Sequence, residues 1–196
     1  MSAGGAAAVK GLHLLSRHQK TKQSSTAYKG VSKRAVDGNV NGFWSGATTT
    51  HTKAKGAQWW QVDLGQSVPI HLILVHHRYD AKTAHKINGA KVYLDKHLCG
   101  SIKYIADVHV YPINCAGKVG RVVKITLNKN MPLHLSEVMV FGVGYPSGGH
   151  GGIFGQNIGG KIVTNAMLSF TKCYLHENPS FSVNNNTYIY FSVQDF

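Results

Sequence analysis

Residues 57–77 read AQWWQVDLGQSVPIHLILVHH. Within Ala57–Leu64, apolar and polar side chains alternate from Trp60 to Leu64, and the stretch ends at Gly65. That period turns one face inward and the other to solvent, so the segment reads as a strand. Pro69–His77 is a nearly continuous apolar run and reads as a second strand. Neighbouring strand residues point to opposite sides, so Trp59 and Trp60 divide between rim and core. The same geometry parts His76 from His77 and argues against a zinc shared by the two.

Further short strands follow on both sides. Gly89–Leu94 alternates, with Val92 and Leu94 on one face. Tyr104–Tyr111 alternates again, and Arg121–Leu127 and Leu133–Val143 complete the set between Gly, Pro and Asn turns. Such spacing predicts an all-β sandwich or barrel. Upstream, residues 1–9 form a small-residue N-terminus, Val9–His18 allows a short helix, and Gln19–Ser32 reads as loop. Gly144–Gly160 carries eight glycines in seventeen residues, which predicts a flexible linker. Beyond it, Lys161–Phe170 and Phe181–Val193 read as two strands of a C-terminal extension over 161–196. Two strands are not stable alone, so they are expected to dock on the sandwich or pair with another copy as a homo-oligomer.

The chain has 196 residues, 43% of them hydrophobic, enough for a full core. Only 15% are charged, and 21 Lys and Arg stand against 8 Asp and Glu, a formal charge of +13. That field favours polyanionic partners such as anionic glycans or a membrane surface. No nucleic-acid motif or clustered basic–aromatic platform is legible, so nucleic acid is not expected. Apolar stretches are under ten residues, too short for a membrane-spanning helix. Met1–Val9 is a weak leader, so either a signal peptide has been removed or export takes an unusual route. There is no P-loop, G-x-S-x-G or H-E-x-x-H, and the six Asp and two Glu are too scattered for a glycosidase pair. A catalytic role is therefore not expected. Three cysteines (Cys99, Cys115 and Cys173) allow one bridge and one leftover thiol, and Asn185-Asn186-Thr187 is a glycosylation sequon.

An ordered series of motifs runs through the middle of the chain. Asp37-Gly38-Asn39 is followed by Trp44 and Thr48–His51, then by Trp59-Trp60-x-Val62-Asp63-Leu64-Gly65. Arg78-x-Asp80, Ile87-Asn88-Gly89, Gly120-Arg121 and Leu133-x-Leu135-Ser136-Glu137-Val138 come next. From residue 10 to 143 this series resembles the fucolectins, or F-type lectins, within the discoidin and coagulation-factor C-domain superfold. Mollusc sperm proteins carry related modules. The resemblance implies a jelly-roll β-sandwich, a pocket in loops at one end for terminal L-fucose, and a structural calcium.

The family pattern is a His, twenty-six intervening residues, Arg-x-Asp, four intervening residues, then a basic residue. Here His51, Arg78 and Asp80 match it. The third position falls on His85, with Lys86 one later; Lys86 directly precedes Ile87, where the family has its basic residue, so Lys86 is preferred and His85 is the alternative. Arg78 offers a planar fork for two sugar oxygens, Lys86 a point contact, and His51 a ring nitrogen. Asp80 orients Arg78, and Trp44 stands where the family has an aromatic wall for the C6 methyl group. By the same resemblance, calcium is held by carboxylates of Asp37 and Glu137, carbonyls near Arg34, Asn39 and Ser136, and the Thr48 oxygens. The Cys99–Cys115 pair fits one family bridge, which implies an oxidising, extracellular compartment. Two other family bridges are absent: Ala81-Lys82 replace adjacent cysteines, and Thr49 and Ser136 replace a pair.

The expectation is a secreted, calcium-containing lectin for fucosylated glycans, in cell recognition or innate immunity. The high charge and the unusual tail add a gamete-recognition or egg-coat role, with a sperm acrosomal location, as a subtype. The rival expectation is a structural or adhesive protein that keeps the fold but has lost fucose specificity.

Overall fold

The computed structural model describes residues 12–143. The expected linker, the C-terminal extension, Cys173 and the Asn185 sequon lie outside them.

Seven antiparallel strands form one sheet: β1 (Leu12–Leu14), β2 (Lys20–Gln23), β3 (Gln58–His77), β4 (Lys91–Leu94), β5 (His97–Ser101), β6 (Val110–Leu127) and β7 (Leu135–Val143). Their order is β1-β7-β3-β6-β4-β5, with β2 on the free side of β3. The two long strands explain how one sheet makes a sandwich. The β3–β6 register slips between Asp63 and Val68 and again between Ile70 and Leu72. Such irregularities bend and twist a strand pair. The first half of β3 pairs with β2, and the facing half of β6 pairs with β4; the second half of β3 lies between β6 and β7. Side chains from both halves (Val62, Val92 and Ile125 from one, Ile73, Val75 and Val138 from the other) meet in a single core.

The all-β expectation holds, with four local corrections. The two strands expected on either side of Gly65 are one, because Gly65–Ser67 is absorbed as an irregularity while the pairing continues. Within the described part of Val9–His18 the expected short helix is replaced by strand: Leu12–Leu14 is an edge strand on β7. Its Leu12, Leu14 and Leu15 spacing suits either period. The Gln19–Ser32 loop contains β2, whose exposed Lys20 and Lys22 alternate with half-buried Thr21 and Gln23. Tyr104–Tyr111 is extended only from Val110, because Asp107 adopts a left-handed φ of 62° and the Tyr111 hydroxyl ties back to the Ile105 backbone. The expected division of the tryptophans is observed, with Trp60 fully buried and Trp59 half-buried. His76 and His77 are both buried, since the β3–β7 register slips between them. Cys99 of β5 is bridged to Cys115 of β6.

Candidate functional site

The segment Thr48–Thr52 is held like a strand without being counted as one. Thr50 donates its N–H to the Leu135 carbonyl at 2.7 Å and accepts the Leu135 N–H on its hydroxyl at 2.9 Å. Thr52 repeats the exchange with Leu133. Two threonine hydroxyls thus do the work of ladder carbonyls and fix His51 between them. On the other side the His51 N–H meets the Gly30 carbonyl at 2.9 Å. The approach is so close that a Cβ on Gly30 would lie 2.6 Å from the His51 Cβ.

The His51 ring sits 4.9 Å from Tyr28, 5.3 Å from Trp44 and 4.2 Å from His134, centroid to centroid. Its Nδ1 lies 2.8 Å from the Thr52 carbonyl. A carbonyl only accepts, so the neutral ring carries its proton on Nδ1 and keeps the Nε2 lone pair as an acceptor. Burial holds its pKa below the usual value, the Thr52 bond opposes that, and the charges of Arg78 and Lys86 lower it further. The same two cations act on buried His134, whose pKa falls to about 2, chiefly through burial. Nε2 of His134 has no partner among the described residues.

Arg78 follows the end of β3. Its Nε donates to Asp80 Oδ2 at 2.5 Å, and the same oxygen accepts the Trp44 N–H at 3.1 Å. One carboxylate therefore positions both the guanidinium and the short 3-10 turn Trp44–Gly46. The guanidinium carbon lies 4.9 Å from the Trp44 ring centroid, within cation–π range. Asp80 also caps the loop that follows, where its carbonyl accepts from Thr83 and Ala84. That loop leads into the 3-10 turn Ala84–Ile87, with His85 exposed and Lys86 half-buried. His51, Arg78, Lys86, Asp80 and Trp44 are thus brought together, and His85 is turned to solvent. Tyr28 and His134 join the cluster without having been anticipated. Tyr28 is 77% exposed, and its loop reaches His51 through the Ala27 N–H bond to the His51 carbonyl. The result is a cationic, aromatic-walled site with one lone-pair acceptor and several donors.

The expected metal ligands form a second group of polar residues. Asp37, Asn39 and Asn41 form a staircase in which each side chain accepts the N–H two residues on. The Thr48 hydroxyl donates to the Asn41 carbonyl. Glu137 is fully buried; Oε2 accepts the Gly38 N–H at 3.1 Å, and Oε1 has no partner among the described residues. Burial, with Asp37 adding to it, pushes its pKa up to about 8, against the bond from Gly38 and the Arg17 charge. The Thr49 hydroxyl is buried and unpartnered as well. Ser136 is buried 3.5 Å from the His77 carbonyl, and the Arg34 guanidinium donates to the Thr49 carbonyl at 3.1 Å. Among the described residues no three His, Cys, Asp or Glu gather as metal ligands. A site here rests on two carboxylates, with hydroxyl, amide and backbone oxygens for the remainder. The unsatisfied oxygens of Glu137 and Thr49 suit a hard cation.

A family model for the F5/8 type C domain matches residues 19–132. The chain belongs to that family. It is 29% identical over 113 residues to Fucolectin-6 of Anguilla japonica, covering 54% of this chain and 60% of the relative, so it spans less than two thirds of that protein. Among solved structures it is similar to the lectin domain of lectinolysin complexed with Lewis B antigen, at 33% identity and a TM-score of 0.61, covering 67% of this chain and 98% of that one. It is also similar to the fucose binding module SpX-3 of Streptococcus pneumoniae, at 30% identity and a TM-score of 0.60, covering 65% and 96%. By name these proteins are lectins and carbohydrate-binding modules, not enzymes.

Proposed function

We propose that this chain is a non-catalytic lectin that binds terminal fucose through the His51–Arg78–Lys86 site. The observation that carries the reading is the convergence of a neutral imidazole and two cations beside the Trp44 ring. Sugar hydroxyls both donate and accept. His51 Nε2 accepts one hydroxyl proton, since Nδ1 is committed to Thr52. Arg78 has spent Nε on Asp80, so its terminal NH2 groups donate as a fork to two neighbouring oxygens. Lys86 adds a single donor. Trp44 supplies the apolar wall that a methyl group at C6 prefers over a hydroxymethyl group. The fucose binding of SpX-3 and the Lewis B complex of lectinolysin support this choice of sugar.

Calcium belongs to the same proposal. Asp37, Asn39, Thr48, Ser136 and Glu137, with the backbone near Arg34, would hold it, and its charge would compensate the buried Glu137 carboxylate. This chain's own part is the Asp37–Asn41 staircase, which fixes the loop leading to Trp44. The Cys99–Cys115 bridge supports an extracellular location, because such bridges persist in oxidising compartments.

A glycan array tests the reading. Fucosides should bind, galactosides and glucosides should not, and His51→Ala or Arg78→Ala should abolish the signal while the protein stays folded. Binding to polyanions alone, lost at high salt, would instead establish the adhesive reading without a sugar pocket.

A further inference from the structure

The pairing of β2, β3, β6 and β4 produces a surface that no single stretch of sequence displays. Trp60, Val62, Val123, Ile125 and Val92 point into the core, so the residues between them face outward. Register sets these in rows across the four strands. Lys22 lies opposite Gln61, then Lys124, then Tyr93; Lys20 lies opposite Asp63; Trp59 lies opposite Thr126, then Lys91. Lys20, Lys22 and Lys91 are exposed, and the Lys124 ammonium sits 4.8 Å from the Trp59 ring centroid. The one carboxylate in these rows, Asp63, is neutralised by Arg121 through two bonds of 2.7 and 3.0 Å. Strand spacing puts Lys22 and Lys124 about 10 Å apart and Lys20 and Lys22 about 7 Å apart at their backbones.

We propose that this outer face, with Lys20, Lys22, Lys91 and Lys124 around Trp59, binds a sulfated polysaccharide at a site separate from the loops that carry His51, Arg78 and Lys86. Charge complementarity selects a polyanion, and three further features select this one. The cations are spread in two dimensions on a shallow surface, which suits a chain bearing anionic groups on both edges. They are lysines, compact point charges on flexible stems, each able to meet a separate anionic group without a fixed bidentate geometry. The Trp59 face, with Gln61 and Thr126 beside it, offers a pyranose ring both an apolar platform and hydrogen bonds. A lipid surface is disfavoured because the apolar side chain that the register adds to these rows, Leu98 opposite Tyr93, sits on the edge strand β5, beyond Lys22, Gln61 and Lys124.

The test uses the full chain on immobilised heparin at about 0.15 M salt, where surface charges act over about 8 Å. The triple variant K22Q/K91Q/K124Q is compared with K53Q/K55Q/K103Q, which removes the same charge from exposed loops. The face triple should weaken heparin binding by about tenfold and the loop triple by less than about twofold, as expected when short-range rather than diffuse charge decides. Both should keep their melting temperature and fucoside binding, His51→Ala should keep heparin binding, and desulfated heparin should not bind. Equal losses in the two triples would reduce the effect to net charge and overturn the site. Tighter binding of single-stranded RNA or anionic vesicles than of heparin, with the same loss in the face triple, would overturn the ligand assignment.

Discussion

Arg78 and His51 divide the work at the residue scale. With Nε held by Asp80, Arg78 presents a fixed fork. Arg78→Lys keeps the charge and loses the fork, so fucoside affinity should fall by about 1.5–3 kcal/mol, roughly ten- to a hundredfold, as for a charge-assisted hydrogen bond. Titration calorimetry measures it; unchanged affinity would mean that charge alone suffices. His51 sets a pH dependence. Its folded pKa lies below the unfolded value of 6.5, so the proton is favoured in the unfolded chain. The ring is therefore neutral and binding-competent throughout the neutral range. Affinity should stay flat from pH 8 to about 6.5 and fall only in acid, as Nε2 is protonated; His51→Gln should lack that acid limb. The stability contributed by this ring is likewise present above 6.5 and lost as pH falls below it. The set His51, Arg78 and Asp80 was legible in the sequence through its resemblance to the F-type lectin pattern, since nothing in the residues between them links His51 to Arg78. Tyr28 and His134 were not, because they reach His51 only through the pairing of Thr48–Thr52 with residues 133–135 and through the Ala27 bond.

Elements carry the next level of constraint. The threonine-laced segment Thr48–Thr52 depends on its contact with Gly30, where a Cβ has no room. Gly30→Ala should destabilise the fold by about 1–3 kcal/mol, the usual range for overpacking, and should also weaken fucoside binding because His51 must shift. Chemical denaturation and a binding assay separate the two effects. The Cys99–Cys115 bridge links β5, an edge strand, to β6. Cys99→Ser/Cys115→Ser should cost about 2–4 kcal/mol of stability and leave sugar affinity nearly intact, since neither residue lies at the site. Central strands were readable from alternation or, at Pro69–His77, from a nearly continuous apolar run. The edge strands β1, β2 and β5 were not: each has at most five residues, and polar or ambiguous spacing leaves their state to the neighbour they pair with. The continuity of β3 past Gly65 was also hidden, because a glycine that interrupts the alternation reads as a stop whether or not pairing resumes.

For the whole molecule, the net charge and the proposed calcium set the expectations. A bound calcium would stabilise the folded chain by mass action, by about 2.7 kcal/mol at a hundred times its dissociation constant. EDTA should therefore lower the melting temperature and added calcium restore it, with Glu137→Gln blunting the response; an EDTA-insensitive melt would remove the ion from the proposal. The formal charge of +13 was legible at once, but its organisation was not. Lys20 and Lys22, Lys91, and Lys124 come from three distant segments and become neighbours only when β2, β3, β6 and β4 pair in register.

β3 runs unbroken from Gln58 to His77 through both layers of the sandwich. A protein assembled this way has no seam along which one layer can peel from the other, for each is tied to the same twenty-residue spine. Amide protons in the paired stretches on either side of Gly65–Ser67, Trp60–Val62 and Ile73–Val75, are accordingly exposed to deuterium only when everything opens together, and the rims that carry His51 and Arg78 can fray without loosening it.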